Sequence, residues 1–202
     1  MSNETSHLPD GGSTEAMQIR VWDPLVRIFH WTLAAGFATA FIVEDDILTV
    51  HIWAGYLVLS LIAMRLVWGL IGTRHARFSD FVREPGQVVA YLKAALTLRA
   101  PRYLGHNPAG GAMVVALLLS VTATGISGMA LYGAQEFAGP LAGLSAWVSD
   151  ATAHQLEDVH AFFANATLAL VIAHLVGVVF SSLSHRENLI GAMITGNKRR
   201  DD

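Results

Sequence analysis

Apolar residues fall into four long, nearly uninterrupted runs, at about 24–43, 47–72, 108–131 and 159–183. A hydrocarbon core about 30 Å thick needs about 20 such residues, each rising about 1.5 Å, to cross it as a helix. The pattern therefore predicts four membrane-spanning helices. The first run does not read as a cleavable signal peptide, because a mostly polar or small stretch precedes Arg20 and no small-residue cleavage site ends the run.

What lies between the runs is short. Residues 1–19 are rich in Ser, Gly, Thr and Glu and read as a mobile tail. Residues 73–107 form the longest connection. In it Val88, Val89, Leu92, Ala95 and Leu96 recur at helical spacing, with Gln87, Lys93 and Arg99 on other faces. This predicts an amphipathic helix over about 86–99, either lying at the membrane interface or simply solvated. Residues 132–158 join the last two runs, and residues 198–202 are a charged end. The chain thus reads as one transmembrane unit over 20–197.

Composition agrees. Hydrophobic residues are 53% of the 202 and charged residues 14%, against roughly a quarter charged in a soluble domain. A water-soluble globule and a disordered chain are both excluded, and a net charge of −3 argues against nucleic acid as a partner. There is no cysteine, which removes disulfides, thiolate zinc, iron–sulfur clusters and thioether-linked haem. A metal or cofactor must be held by His, carboxylate, Met or Tyr.

The 13 Lys and Arg residues are unevenly placed. Arg20 and Arg27 flank the start of the first run, and Arg65 lies in the second. Arg74, Arg77, Arg83, Lys93, Arg99 and Arg102 fill the long connection, and Arg186, Lys198, Arg199 and Arg200 follow the fourth run. The connections 44–50 and 132–158 hold no Lys or Arg, and their charged residues are all acidic: Glu44, Asp45, Asp46, Glu136, Asp150, Glu157 and Asp158. By the positive-inside rule both termini and the 73–107 connection are cytoplasmic. The predicted fold is an all-α membrane protein, a four-helix transmembrane bundle. The outer carboxylates could steer a basic redox partner, or could simply reflect the charge asymmetry of topology.

Histidine carries the chemistry. His7, His75 and His106 read as solvated, and His154 and His185 sit at run ends. His30, His51, His160 and His174 lie inside apolar runs that hold no carboxylate or lysine to pair with them. A polar ring in hydrocarbon without a partner costs several kcal/mol. With alternating helix directions, His51 and His160 reach one depth near the outer face, and His30 and His174 another near the inner face. Two imidazoles from different helices at one level suit the two axial positions of a haem iron. His160 and His174 are fourteen residues apart, about 21 Å of rise, and return to nearly one helix face.

Neighbouring residues have two readings each. Arg65, fourteen residues after His51, and Arg27, one turn before His30, either pair with haem propionates or snorkel to the surface. Gly36, Gly55 and Gly177 either make room for a macrocycle or let helices pack closely, and close packing is the better reading for Gly110, Gly111, Gly125 and Gly128. The third run has no histidine and is expected to close the bundle. Zinc would want four converging ligands, and a proton relay would want graded depths. A set of merely packed histidines in a membrane anchor is a further alternative.

The motifs themselves are familiar. V-W-D-P-L-V-R-I-F-H-W around His30, H-I-W-A-G-Y from His51 with M-R-L-V-W-G-L-I-G after it, and G-H-N-P-A-G-G at 105–111 resemble bacterial cytochrome b561 proteins and the b-type cytochrome subunits of nickel–iron hydrogenases. So do V-H-A-F-F-A-N-A-T-L-A-L-V-I-A-H at 159–174 and H-R-E-N-L-I-G-A-M-I-T-G at 185–196. The resemblance covers roughly 20–200. It implies two b haems with axial ligands His30, His51, His160 and His174, electron exchange with membrane quinone, and a place in the respiratory chain of the bacterial inner membrane. The outer-face partner it implies is a c-type cytochrome, a hydrogenase-like enzyme, or a small substrate such as superoxide. Bis-His ligation leaves no open iron position, so no ligand binding at the metal is expected.

Overall fold

The structure, a computed structural model, describes residues 18–44 and 46–200. His7, Asp45 and most of the tail assigned to 1–19 lie outside the described residues.

Four helices are long and apolar enough to cross a membrane: α1 (Pro24–Val43), α2 (Leu48–Ile71), α5 (Pro108–Gln135) and α6 (Asp150–Ser184). Their start signals are local. Asp23 caps α1 by accepting from the Val26 N–H at 2.9 Å, and Asn107 caps α5 by accepting from the Gly110 N–H at 2.7 Å. In both helices proline takes the first helical position, where its missing N–H costs nothing. The outward faces stay apolar, with Ile42, Leu70, Ile71, Phe162, Val176 and Leu183 exposed. Such a surface is stable only against lipid.

Between α2 and α5 lie two short helices, α3 (Phe78–Phe81) and α4 (Pro85–Leu96). α4 is the amphipathic helix expected at 86–99. It buries Tyr91 toward α5 and leaves Val89, Leu92 and Leu96 facing outward, as an interfacial helix would. α5 runs four residues beyond its apolar stretch. α6 begins nine residues before its own, at the Ser149 cap, and those added residues carry Asp150, Glu157 and Asp158. Charge marks where a helix leaves hydrocarbon, not where it begins.

Both described ends meet at one end of the bundle, the base. Strand β1 (Gln18–Arg20) pairs antiparallel with β2 (Asn197–Arg199), which follows a short helix α7 (Leu189–Thr195). Gln18 and Ile19 are thus built into the fold, and so are Lys198 and Arg199 of the charged end. Lys198 is 5% exposed; its Nζ lies 3.1 Å from Glu187 Oε2, and Glu187 Oε1 accepts from Arg102 at 2.7 Å. Val21, Trp22, Val26, Ala76 and Ala192 form the apolar core beneath this sheet. A second core of Phe29, Val58, Ile62, Leu118 and Val121 joins α1, α2 and α5 inside the bundle. The opposite end, the crown, holds the α1–α2 turn and the α5–α6 connection.

Candidate functional site

Each of the four spanning histidines meets one other. At the crown the rings of His51 (α2) and His160 (α6) have centres 5.9 Å apart, with planes inclined at 79°. Toward the base the rings of His30 (α1) and His174 (α6) have centres 6.4 Å apart, at 57°. Both couples join different helices, and all four side chains are half-buried. With metal–nitrogen distances of about 2.0–2.1 Å, two rings clamping one ion have centres roughly 6.3 Å apart. The observed separations bracket that value. Among the described residues no three His, Asp or Glu side chains converge, so each couple stands alone.

The crown couple is held by backbone. His51 Nδ1 lies 3.0 Å from Ala40 O, and His160 Nδ1 lies 3.0 Å from Thr124 O and 3.3 Å from Ser127 Oγ. A carbonyl only accepts, so each Nδ1 carries the proton and each Nε2 keeps its lone pair. Thr124 is itself fixed. Its hydroxyl donates to Ser120 O at 2.9 Å and meets the Thr167 hydroxyl at 3.1 Å, and Thr167 also meets Ser120 Oγ at 2.7 Å. Thr167 is fully buried and sits midway between His160 and His174 on their face of α6. It ties the ligand helix to α5.

A cavity of about 630 Å³ surrounds the crown couple, within the range of sites that enclose a cofactor. Gly55 and Gly128 line it, with Val58, Val121, Thr124, Ala161 and Ala164. A side chain at Gly55 would meet nothing within 4 Å, whereas a Cβ at Gly128 would stand 2.8 Å from His160 Cε1. Gly55 leaves room; Gly128 lets the imidazole lie against α5. Gly128 was expected to serve helix packing alone, and α5 to do no more than close the bundle. Both expectations need amending, because α5 supplies the carbonyl, the hydroxyl and the bare backbone that seat His160. Gly36 is a packing residue: its Cβ would lie 3.1 Å from Val58.

The base couple is differently supported. Neither ring makes a hydrogen bond among the described residues, and His30 Nδ1 is buried without a partner. Arg65 does not snorkel. It is 3% exposed, lies 5.0 Å from the centre of the Phe78 ring and 5.9 Å from that of Phe81, and its Nη1 has no hydrogen-bond partner. Arg27 donates from Nη2 to Ile194 O, and its Nε is buried and unpartnered. Trp68 donates to Asp23 Oδ2 at 3.2 Å. Burial pushes the Asp23 carboxyl up, but hydrogen bonds from Thr73, the Val26 N–H, Trp68 and the Leu25 N–H outweigh it and hold the group below the usual carboxylate range.

Two histidines expected in water are instead half-buried and held within the fold. His75 Nδ1 lies 3.0 Å from Asp80 Oδ2. The His106 ring sits between Trp22 and Phe81, with centres 4.7 and 4.6 Å away, and its Nδ1 has no partner. Burial, helped by Arg65 and Lys198 and opposed by Asp80, drives its pKa down to about 3.

The sequence profile of prokaryotic cytochrome b561 matches residues 21–196. The chain belongs to the prokaryotic cytochrome b561 family. Among its relatives are probable Ni/Fe-hydrogenase B-type cytochrome subunits. That of Rhizobium leguminosarum bv. viciae is 25% identical over 91% of this chain and 90% of the relative. Those of Bradyrhizobium diazoefficiens and Cupriavidus necator are each 27% identical, over 91% and 90% of this chain and 87% of each relative. No solved structure matches. Membership makes this b561 chain a multi-pass bacterial membrane protein of electron transport that uses haem b.

Proposed function

We propose that this chain conducts electrons across the bacterial inner membrane through two b haems. His51 and His160 hold one near the outer face, and His30 and His174 hold the other near the inner face, with both termini cytoplasmic. The observation that carries the reading is the pair of two-imidazole gaps, 5.9 and 6.4 Å wide, at two levels of one bundle. Haem held by these histidines would supply one-electron chemistry.

The protein's own part is positional. His51 and His160 present Nε2 to the crown gap because Ala40 O and Thr124 O hold Nδ1. Thr167 keeps both α6 histidines in register against α5. Arg65 and Arg27 offer unpartnered buried donors at the base, suited to the propionates of the inner haem. The fourteen residues from His160 to His174 set the couples about 21 Å apart along the axis, with the Val58–Val121 core keeping water from the interior.

Membrane quinone is the electron partner this reading favours on one side. A hydrogenase-like enzyme at the outer face is favoured on the other, because relatives covering nearly the whole chain are named as subunits of such enzymes. Replacing His160 by Ala tests the assignment. The reduced-minus-oxidised spectrum should lose about half its α-band amplitude and keep the rest. Loss of both halves from a folded chain would contradict separate couples.

A further inference from the structure

We infer that the base end of α6 carries a phospholipid site, a groove in which Arg186 holds the phosphodiester of an anionic lipid of that leaflet. Nothing in the dihaem reading requires it. On the topology proposed above, the leaflet is the cytoplasmic one.

The groove, of about 350 Å³, lies between the last turns of α6 and the start of α7. Val179, Leu183 and Ile190 line it and are exposed, while Ser182, Arg186 and Asn188 give it polar groups. Val179, Ser182 and Leu183 recur at i, i+3 and i+4, so they share one face of α6. Val179 lies about 140° round the helix from His174, at about 100° for each of five residues, so this face points away from the histidine couples. The groove is apolar toward the bilayer and polar where the helix leaves it. A phospholipid has the same division, with acyl chains for Val179, Leu183 and Ile190 and a phosphate for a cation at the membrane surface.

Arg186 stands where glycine is the usual residue. In the turn that ends α6, the Glu187 N–H donates to Ser182 O at 3.0 Å and the Arg186 N–H to Leu183 O at 3.4 Å, which is the Schellman arrangement. Its left-handed position favours glycine, because a Cβ crowds the backbone there. Here that position is Arg186, at φ +49°. A cation suits the C-terminal end of any helix, but one residue earlier or later it would serve that end without the left-handed backbone.

Charge points to the same ligand. Among the described residues the Arg186 side chain makes no hydrogen bond or ion pair. Glu187 lines the same groove but is already spent: Oε1 accepts from Arg102 at 2.7 Å and Oε2 lies 3.1 Å from Lys198 Nζ. Asn188 turns its Oδ1 to the Gly191 N–H, which leaves its amide N–H groups for a phosphate or glycerol oxygen. A guanidinium pairs with a phosphodiester through two parallel N–H bonds. With Glu187 engaged, no lining carboxylate is left to meet a choline or ethanolamine cation, so the groove favours a headgroup of net negative charge.

Native mass spectrometry of the purified holoprotein tests this. The protein is stripped of lipid in detergent, given equal amounts of dioleoyl phosphatidylglycerol and dioleoyl phosphatidylcholine, and repurified. Wild type should retain phosphatidylglycerol over phosphatidylcholine by roughly 5-fold or more. Arg186→Gly should abolish that preference with the α band unchanged and the melting temperature no lower, because glycine suits the left-handed backbone. Arg186→Gln should lose the preference as well, whereas Arg99→Gln, outside the groove, should keep it. Glycerol 3-phosphate, which has the phosphate and no acyl chain, should not displace the lipid. Equal retention of the two lipids by wild type, an Arg186 variant that keeps the preference, an Arg99→Gln protein that loses it, or displacement by glycerol 3-phosphate would each overturn the inference. Haem stoichiometry does not enter this readout, so its failure would leave the dihaem reading standing.

Discussion

His160 donates its Nδ1 proton to the carbonyl of Thr124, 3.0 Å away. This bond joins a histidine on one spanning helix to the backbone of a helix without any histidine in its span. It fixes the ring's tautomer and its tilt together. The same ring lies against Gly128, one turn further along α5.

Gly128 is accordingly a sensitive position. Alanine there would place a methyl group 2.8 Å from His160 Cε1, and the ring cannot yield without breaking its bond to Thr124. Overpacking of this kind costs about 1–3 kcal/mol. Gly128→Ala should weaken retention of the outer haem by roughly 10-fold or more, read as haem loss to an apo-globin acceptor, with the inner haem unaffected.

The inclination of the rings predicts a spectroscopic difference. As two axial imidazole planes approach a right angle, the two iron dπ orbitals approach equal energy and the ferric signal becomes more anisotropic. The crown couple stands at 79° and the base couple at 57°. Low-temperature electron paramagnetic resonance of the oxidised protein should show two low-spin signals. The one removed in His160→Ala should have the larger maximum g value.

Thr167 offers a third test. It has no exposed surface and its hydroxyl meets both Ser120 and Thr124. Thr167→Val keeps the shape but takes from the Ser120 hydroxyl its partner and from the Thr124 hydroxyl one of two, a change of about 1–3 kcal/mol. The melting temperature in detergent should fall, and the outer haem should be retained less well than the inner one, because Thr124 is the residue that seats His160.

His106 predicts a pH dependence. Burial holds its folded pKa at about 3, against 6.5 for the free group. The unfolded chain therefore binds the proton more readily, and stability falls as pH drops from about 6.5 toward 3, with no contribution from this group above that window. His106→Phe, which suits a slot between Trp22 and Phe81, should flatten the acid limb of a plot of melting temperature against pH. An unchanged acid limb would show that the group titrates freely.

The spans and the histidine couples were legible in the sequence for a physical reason. Lipid demands long apolar runs, so a polar ring such as His51 or His174 stands out within one. Helix periodicity and alternating direction then set its depth and face. The base was not legible. Strands β1 and β2 are three residues each and pair across almost the whole chain, too short for periodicity to register. His106 reads as a loop residue, and nothing nearby in sequence announces that Trp22 and Phe81 will enclose it. The crown acceptors, Ala40 O and Thr124 O, are backbone atoms and leave no mark on residue identity. Only the recurrence of Ser and Thr at 120, 124 and 127 in an apolar helix could have hinted at them.

The most direct measurement is the pyridine haemochrome of purified, fully loaded protein set against its amino-acid content. Two couples at two levels require two protohaems per chain. A ratio of one, unchanged by added haem, would contradict the arrangement.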